Sequence, residues 1–268
     1  MKTKKVLPLI LLLFVAIMLF SVGMIAKEYR ERQQDIKGFE KLEDIITEVE
    51  QTEMTDNVEQ TETPQEQKQS TRNLTPLFEA NRDCIGWICI PNTAVNYPVM
   101  FTPKEPQKYL RKNFEGEYSV SGVPFLDGNS TPECDNLIIY GHNMKNGTMF
   151  SAVTQYRNKD YCTEHPVIEF ETAEGMKQYT VFAVVYVKNN DDWYDFHTAA
   201  DETEFNAKIE EIKHRALYDT GITPEYGQQL LTLSTCYGAT KSDRIMVSHL
   251  WYLLQRQPIA SVTQKIYG

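Results

Sequence analysis

Short β-type runs divided by turn-rich pieces, one amphipathic helix set among them, and an unbroken apolar stretch at the N-terminus predict a mainly-β domain. The expected architecture is a closed barrel with helical decoration, preceded by a membrane-spanning helix. The runs cover residues 85–90, 95–100, 137–140, 167–170, 178–187, 229–235 and 244–254. Pro91-Asn92, Asp127-Gly128-Asn129 and Lys145-Asn146-Gly147 mark turns between them. Phe205, Ile209, Ile212, Ala216 and Leu217 fall on one face of a helix over 203–217, with Asp201 or Thr203 as its N-cap.

The N-terminus reads Lys2, Lys4 and Lys5, then 21 uncharged residues from 6 to 26. At 1.5 Å each they span roughly 31 Å, enough for a hydrocarbon core. Ser21-Val22-Gly23 would suit a signal-peptide cleavage site, but the run continues through Met24 and Ile25, which favours an uncleaved anchor over 1–26. Lys27, Arg30, Arg32 and Lys37 follow the run, so the positive-inside count does not orient it. The expected arrangement is a single-pass signal-anchor in the cell membrane, with the large C-terminal domain extracellular.

Residues 27–50 place Tyr29, Ile36, Phe39, Leu42, Ile45, Ile46 and Val49 at helical spacing. That stripe would pack on the following domain, pair with a second copy or lie on the membrane. Residues 51–72 hold no aromatic side chain and are rich in Thr, Gln and Glu, a composition that cannot offset its ordering entropy, and they read as a flexible polar stalk. The folded domain is 73–268, expected to stand without the preceding segments.

A net charge of −10 excludes a nucleic-acid binder, which needs a basic face. Five cysteines leave at least one thiol unpaired, and no CxxC occurs, which speaks against a zinc ribbon or a dithiol redox motif. Neither a metal nor another cofactor is expected. Cys84, Cys89, Cys134 and Cys162 read as thiols buried as small hydrophobes.

Chemistry concentrates in three places. An apolar strand ends in Tyr140-Gly141-His142, a β-branched strand ends in Thr232-Leu-Ser-Thr-Cys236, and a new strand starts at Arg244. If 229–235 and 244–250 form a hairpin, Cys236 and Arg244 meet at one end of the sheet. A thiolate beside a guanidinium suits acyl transfer, the cation receiving the charge that develops on the attacked carbonyl. Four other histidines compete with His142. His165 precedes a proline, His197 sits in a polar loop, His214 is on the helix and His249 is inside the last strand; none follows a glycine at a strand end.

These segments resemble the His, TLxTC and Arg signatures of sortases, the cell-wall-anchoring transpeptidases of Gram-positive bacteria. Gly86-Trp-Ile-Cys-Ile-Pro-Asn-Thr, Tyr97-Pro-Val, Phe125-Leu-Asp127 and Tyr-Gly-His-Asn-Met-Lys-x-Gly-Thr-Met-Phe resemble the class B subgroup, as does the helix inserted before the cysteine strand. The resemblance covers about 74–255. It implies an eight-stranded sortase-type β-barrel with peripheral helices, and no cofactor. It further implies Cys236 as nucleophile, His142 as acid/base and Arg244 as oxyanion stabiliser. The implied partners are secreted proteins with a C-terminal sorting motif, cleaved after Thr, and an amine of peptidoglycan or its lipid-linked precursor. Leu110, Tyr140, Ser234, Trp193 and Tyr194 match groove positions. Water in place of the amine would make the same site an endopeptidase, and a silent groove would leave a tethered binding module.

Overall fold

In the computed structural model, which describes residues 3–53 and 72–251, each of the seven runs forms a strand, and an eighth strand of two residues completes the sheet. The strands are β1 (Cys84–Cys89), β2 (Asn96–Met100), β3 (Phe125–Leu126), β4 (Asn136–Tyr140), β5 (Val167–Thr172), β6 (Gly175–Lys188), β7 (Leu230–Cys236) and β8 (Asp243–Trp251). They close in the order β1-β2-β3-β4-β7-β8-β6-β5, with β5 pairing back onto β1. Closure leaves no free edge to recruit another strand. Two residues are too few to show periodicity, which is why β3 has no sequence signal of its own. Residues 252–254 of the last run lie outside the described residues.

Two pairings are parallel, β2 with β3 and β4 with β7; the other six are antiparallel. Side chains alternate across each strand. Leu137 and Ile139 of β4, Leu231 and Leu233 of β7, and Ile245 and Val247 of β8 fill the barrel with Ile88, Val99 and Phe170. A second layer lies outside. The helix α4 (Glu202–His214) buries Phe205, Ile209 and Ile212 against Phe182 and Val185 of β6, Leu230 of β7 and Met246 of β8. Asp201 caps it, accepting from the Glu204 amide at 3.0 Å. The helix stops at His214, three residues before its sequence pattern ends, because the Leu217 amide turns to donate to the Val184 carbonyl. Two one-and-a-half-turn helices, α2 (Thr75–Ala80) and α3 (Lys159–Glu164), are too short for a periodic signature.

The N-terminal segments form one continuous helix, α1 (Thr3–Glu53), so the first three residues of the expected stalk are helical; 54–71 lie outside the described residues. Between residues 11 and 30 every side chain is exposed. Leu11, Phe14 and Phe20 are 65–72% exposed, and the helix is long and apolar enough to cross a membrane. Its second half packs on the barrel. Leu42 and Ile46 are buried beside Leu77, Trp87 and Tyr109, Phe39 meets the Tyr97 ring edge-on at 4.9 Å, and Asp35 accepts from the Ser119 hydroxyl at 2.8 Å. Of the three partners open to the amphipathic stripe, the structure has the barrel. The stripe thus shares a core with the barrel.

Deleting 1–26 should leave the thermal transition of the domain in place. Deleting 1–50 should lower it, and Ile46→Ala should cost roughly 2–5 kcal/mol by denaturant unfolding, the range for emptying a buried aliphatic site. An unchanged midpoint in both would detach the stripe from the core.

Candidate active site

Alternation also decides which face of the sheet bears the chemistry. Leu231 and Leu233 point into the barrel, so Thr232, Ser234 and Cys236 of β7 take the outer face. β4 runs parallel to β7 with Tyr140 opposite Ser234. Two residues further along each chain stand His142 and Cys236, delivered to the same end of adjacent strands. Three hydrogen bonds hold the two segments in step beyond the ladder. The Gly141 amide donates to the Ser234 carbonyl (3.2 Å), the Thr235 hydroxyl to the Gly141 carbonyl (2.7 Å) and the Asn143 amide side chain to the Cys236 carbonyl (3.0 Å). On the other side of β7, Cys236 and Arg244 are antiparallel partners, as the expected hairpin requires.

Glycine between Tyr140 and His142 is a packing requirement. A Cβ at Gly141 would lie 2.5 Å from the ring of Phe150, a fully buried residue whose amide donates to the His142 carbonyl at 2.8 Å. The close approach of Phe150 thus sets the turn that follows β4.

His142 Nε2 lies 2.9 Å from the Leu110 carbonyl. A carbonyl only accepts, so Nε2 carries the proton and Nδ1 is the basic nitrogen. Burial holds the His142 pKa below the usual histidine value, against the opposing Leu110 bond and with help from the Arg111 and Arg244 charges. The ring is neutral at pH 7. Cys236 is exposed, whereas Cys84, Cys134 and Cys162 are buried and Cys89 half-buried. Burial pushes the Cys84 thiol up to about 11 and raises Cys89 and Cys162 as well. Of the five sulfurs Cys236 is the exposed one.

Arg244 is held by its own loop, Nη1 donating to the carbonyls of Lys241 (2.7 Å) and Asp243 (2.9 Å). Among the described residues no carboxylate pairs with it. Asp243 bonds Lys188 instead, and its carboxylate closes the loop by accepting from the Thr240 amide at 2.8 Å. The guanidinium therefore keeps donors free on a fixed mount beside the thiol.

Cys236, His142 and Arg244 line one groove of about 320 Å³, together with Leu110, Tyr140, Tyr194 and Ser234. The Tyr194 and Ser234 hydroxyls meet at 2.8 Å, and burial pushes the Tyr194 phenol up to about 12. Trp193 does not belong to this set. It is 2% exposed, and its indole N–H donates to the Thr232 hydroxyl at 3.0 Å, so it anchors the loop from within. Asp127 and Asn189 also line the groove. Asp127 ends the Phe125-Leu-Asp127 motif but offers no chemical signal of its own, and Asn189 has none. The Leu110 carbonyl, as a backbone group, is invisible to side-chain reasoning.

The barrel and this groove define a cysteine transpeptidase: the chain belongs to the sortase family, whose sortase domain model matches residues 88–249. Within that family it is of class B. Sortase B of Staphylococcus aureus is 29% identical over 263 residues, 93% of this chain and 98% of that one. Sortase B of Listeria monocytogenes serovar 1/2a is 32% identical over 166 residues, 61% of this chain and 66% of that one. Among solved structures, a Staphylococcus aureus sortase B–substrate complex superposes with a TM-score of 0.72 at 23% identity, covering 84% of this chain and 99% of that one. The MTSET complex of Sortase B from S. aureus gives 0.61 at 28% identity, over 66% and 76%.

Gly141→Ala should displace Phe150 and with it the His142 turn, lowering turnover at least tenfold while the thiol still reacts with a small alkylating agent. The acid limb of kcat/KM should fall below pH 6.5, the ordinary histidine value, because a base held neutral by burial is lost to protonation only at lower pH. A limb at or above 6.5 would contradict that assignment.

Proposed function

We propose that the chain cleaves a C-terminal sorting motif of secreted proteins after threonine and transfers the acyl group to an amine of peptidoglycan or its lipid-linked precursor. The observation that carries this reading is the convergence of Cys236, His142 and Arg244 on one groove. The Cys236 sulfur attacks the threonyl carbonyl, its proton passing to His142 Nδ1. Arg244 and nearby N–H groups receive the charge on the carbonyl oxygen. The C–N bond breaks as His142 returns the proton to the leaving amine, giving a thioester. The acceptor amine then attacks, loses a proton to His142 and expels the thiolate. Leu110, Tyr140, Tyr194 and Ser234 form the walls that hold the peptide.

Residues 1–26 cross the membrane once, and the domain faces the exterior. Because α1 docks on the barrel near residues 35–46, its stretch from 27 to 46 sets the stand-off, roughly 30 Å at most at 1.5 Å per residue. The 54–71 segment then connects α1 to the barrel without setting its reach.

Incubating residues 27–268 with a panel of sorting-motif peptides should give a thioester adduct on Cys236 by mass spectrometry, released by an added amine. Cys236→Ala should give none, while serine at Cys84, Cys89, Cys134 or Cys162 keeps substantial activity. Arg244→Lys should lower single-turnover acylation by roughly 10² with little change in peptide affinity, the cost of one oxyanion donor. Wild-type acylation in Arg244→Lys and Arg244→Ala would remove it from the mechanism. Release by water at the same rate with and without amine would make the enzyme a peptidase.

A further inference from the structure

At the groove wall lies a carboxylate–histidine pair that the reaction above leaves idle. Asp127, just past β3, lines the groove; His197 lies in the segment 189–201 that carries Tyr194 between β6 and α4. Asp127 Oδ1 accepts from His197 Nε2 at 3.0 Å and from the Asn129 amide at 2.9 Å, while Oδ2 accepts from the Tyr140 hydroxyl at 3.1 Å. The two charged side chains are 19% and 13% exposed. The Tyr140 ring lies between Phe125 and Tyr194, at centroid distances of 5.5 and 5.9 Å. Elsewhere the same segment is tied to α4 and its C-cap by the Asp192–Lys208 and Asp191–Arg215 ion pairs, and the Ala199 amide donates to the Asp135 carboxylate at 2.8 Å. Asn136 donates from its backbone to the His197 carbonyl and from its side chain to the Phe196 carbonyl, and Trp193 donates to Thr232. At the groove the tie is the Asp127–His197 bond, ionic when His197 is protonated.

We propose that Asp127 and His197 are positioning residues for peptide binding: their ion pair latches the 189–201 segment to the barrel and sets the spacing of Tyr140 and Tyr194 across the groove. The proposal rests on the peptide-transfer reading above. The hydrogen bond to Asp127 raises the His197 pKa above its ordinary value, against burial. Burial raises Asp127, but its bonds to His197, Asn129 and Tyr140 outweigh it and hold the carboxyl low. The other titratable groups facing the pair are Asp195 on its own segment, Tyr140 on β4 and Tyr194 beside it, with Arg244 acting on both tyrosines. The latch is charged below the raised His197 pKa and weakens as pH rises through it.

The test compares wild type, His197→Ala, His197→Gln and Asp127→Asn in residues 27–268. The readouts are single-turnover acylation by the peptide, iodoacetamide alkylation of Cys236, and amide hydrogen exchange across 189–201. His197→Ala should raise the peptide KM about tenfold, the equivalent of about 1.4 kcal/mol, with a smaller change in maximal rate and in alkylation. Exchange across 189–201 should quicken. His197→Gln keeps a donor without the charge, so its KM should lie between the two and stay flat with pH, while that of wild type rises on the alkaline side. Unchanged KM and exchange in both His197 variants would overturn the proposal. So would equal losses in maximal rate and alkylation, which would place the pair on the nucleophile instead. If wild type accepts no peptide, the transfer reading fails, and the exchange data decide the latch by themselves.

Discussion

The site depends on the parallel pairing of β4 with β7, and that pairing is fixed by one buried hydroxyl. Thr232 Oγ1 accepts from the Trp193 indole at 3.0 Å, donates to Asn136 Oδ1 at 2.9 Å and lies 3.2 Å from Ser248. Thr232 and Asn136 are fully buried on neighbouring strands, so a slip of the ladder would leave several polar groups unpaired in a dry layer, each at a cost of about 1–3 kcal/mol. A one-residue slip would also turn the β7 side chains over, sending Cys236 toward the barrel interior and Leu233 toward the groove. Register and the placement of Cys236 are therefore the same constraint. Parallel neighbours need a long crossover. Here the chain between β4 and β7 supplies it with β5, β6 and α4, and the crossover returns Trp193, Tyr194 and His197 to the β4–β7 seam.

Within that frame the electrostatics of the groove are set by His142 and the two arginines that act on it. His142 is half-buried with its Nε2 committed to the Leu110 carbonyl, and two arginines disfavour its protonation. No hydrogen bond joins its Nδ1 to the Cys236 thiol among the described residues. A neutral imidazole with a free Nδ1 is a base ready to take a proton. Arg244 is held ready in turn. Its Nη1 is already spent on two loop carbonyls, so its remaining donors are oriented before the carbonyl oxygen gains charge, and little reorganisation is left for the reaction.

Period and punctuation made most of this legible in advance. Alternating apolar residues located seven of the eight strands, a 3.6-residue stripe located α4, and the strand ends at His142, Cys236 and Arg244 marked where chemistry would gather. What stayed hidden has physical reasons. β3 is two residues long and takes its place from its neighbours. The partner of His142 is a peptide carbonyl, which any residue at position 110 would supply. Trp193 and Tyr194 are adjacent, and sequence could not show that a short 3₁₀ turn sends one ring into the core and the other into the groove. His197, read as a polar-loop histidine, acquires its partner only when the crossover folds back onto β3. In each case the missing information is a long-range contact with no local pattern.

The same limit explains why the apolar stripe of α1 left its partner open. Amphipathicity states that a face must be covered and is silent on what covers it. The structure answers with Leu77, Trp87 and Tyr109, and the answer changes the mechanics of the whole chain. A domain hung on a polar coil would sample a wide volume around the helix end. A domain docked on a continuous helix has its position along that helix and the face it presents fixed by helix geometry. Phe39 touches Tyr97, whose hydroxyl accepts from the Met149 amide at 2.9 Å, and Met149 bridges to Asn143, next to His142. Met149 sits at φ 57°, a strained left-handed conformation for a residue with a long side chain, so that amide bond supports a turn that would otherwise relax. The second half of α1 is thus also in contact with the residues that brace the turn carrying His142.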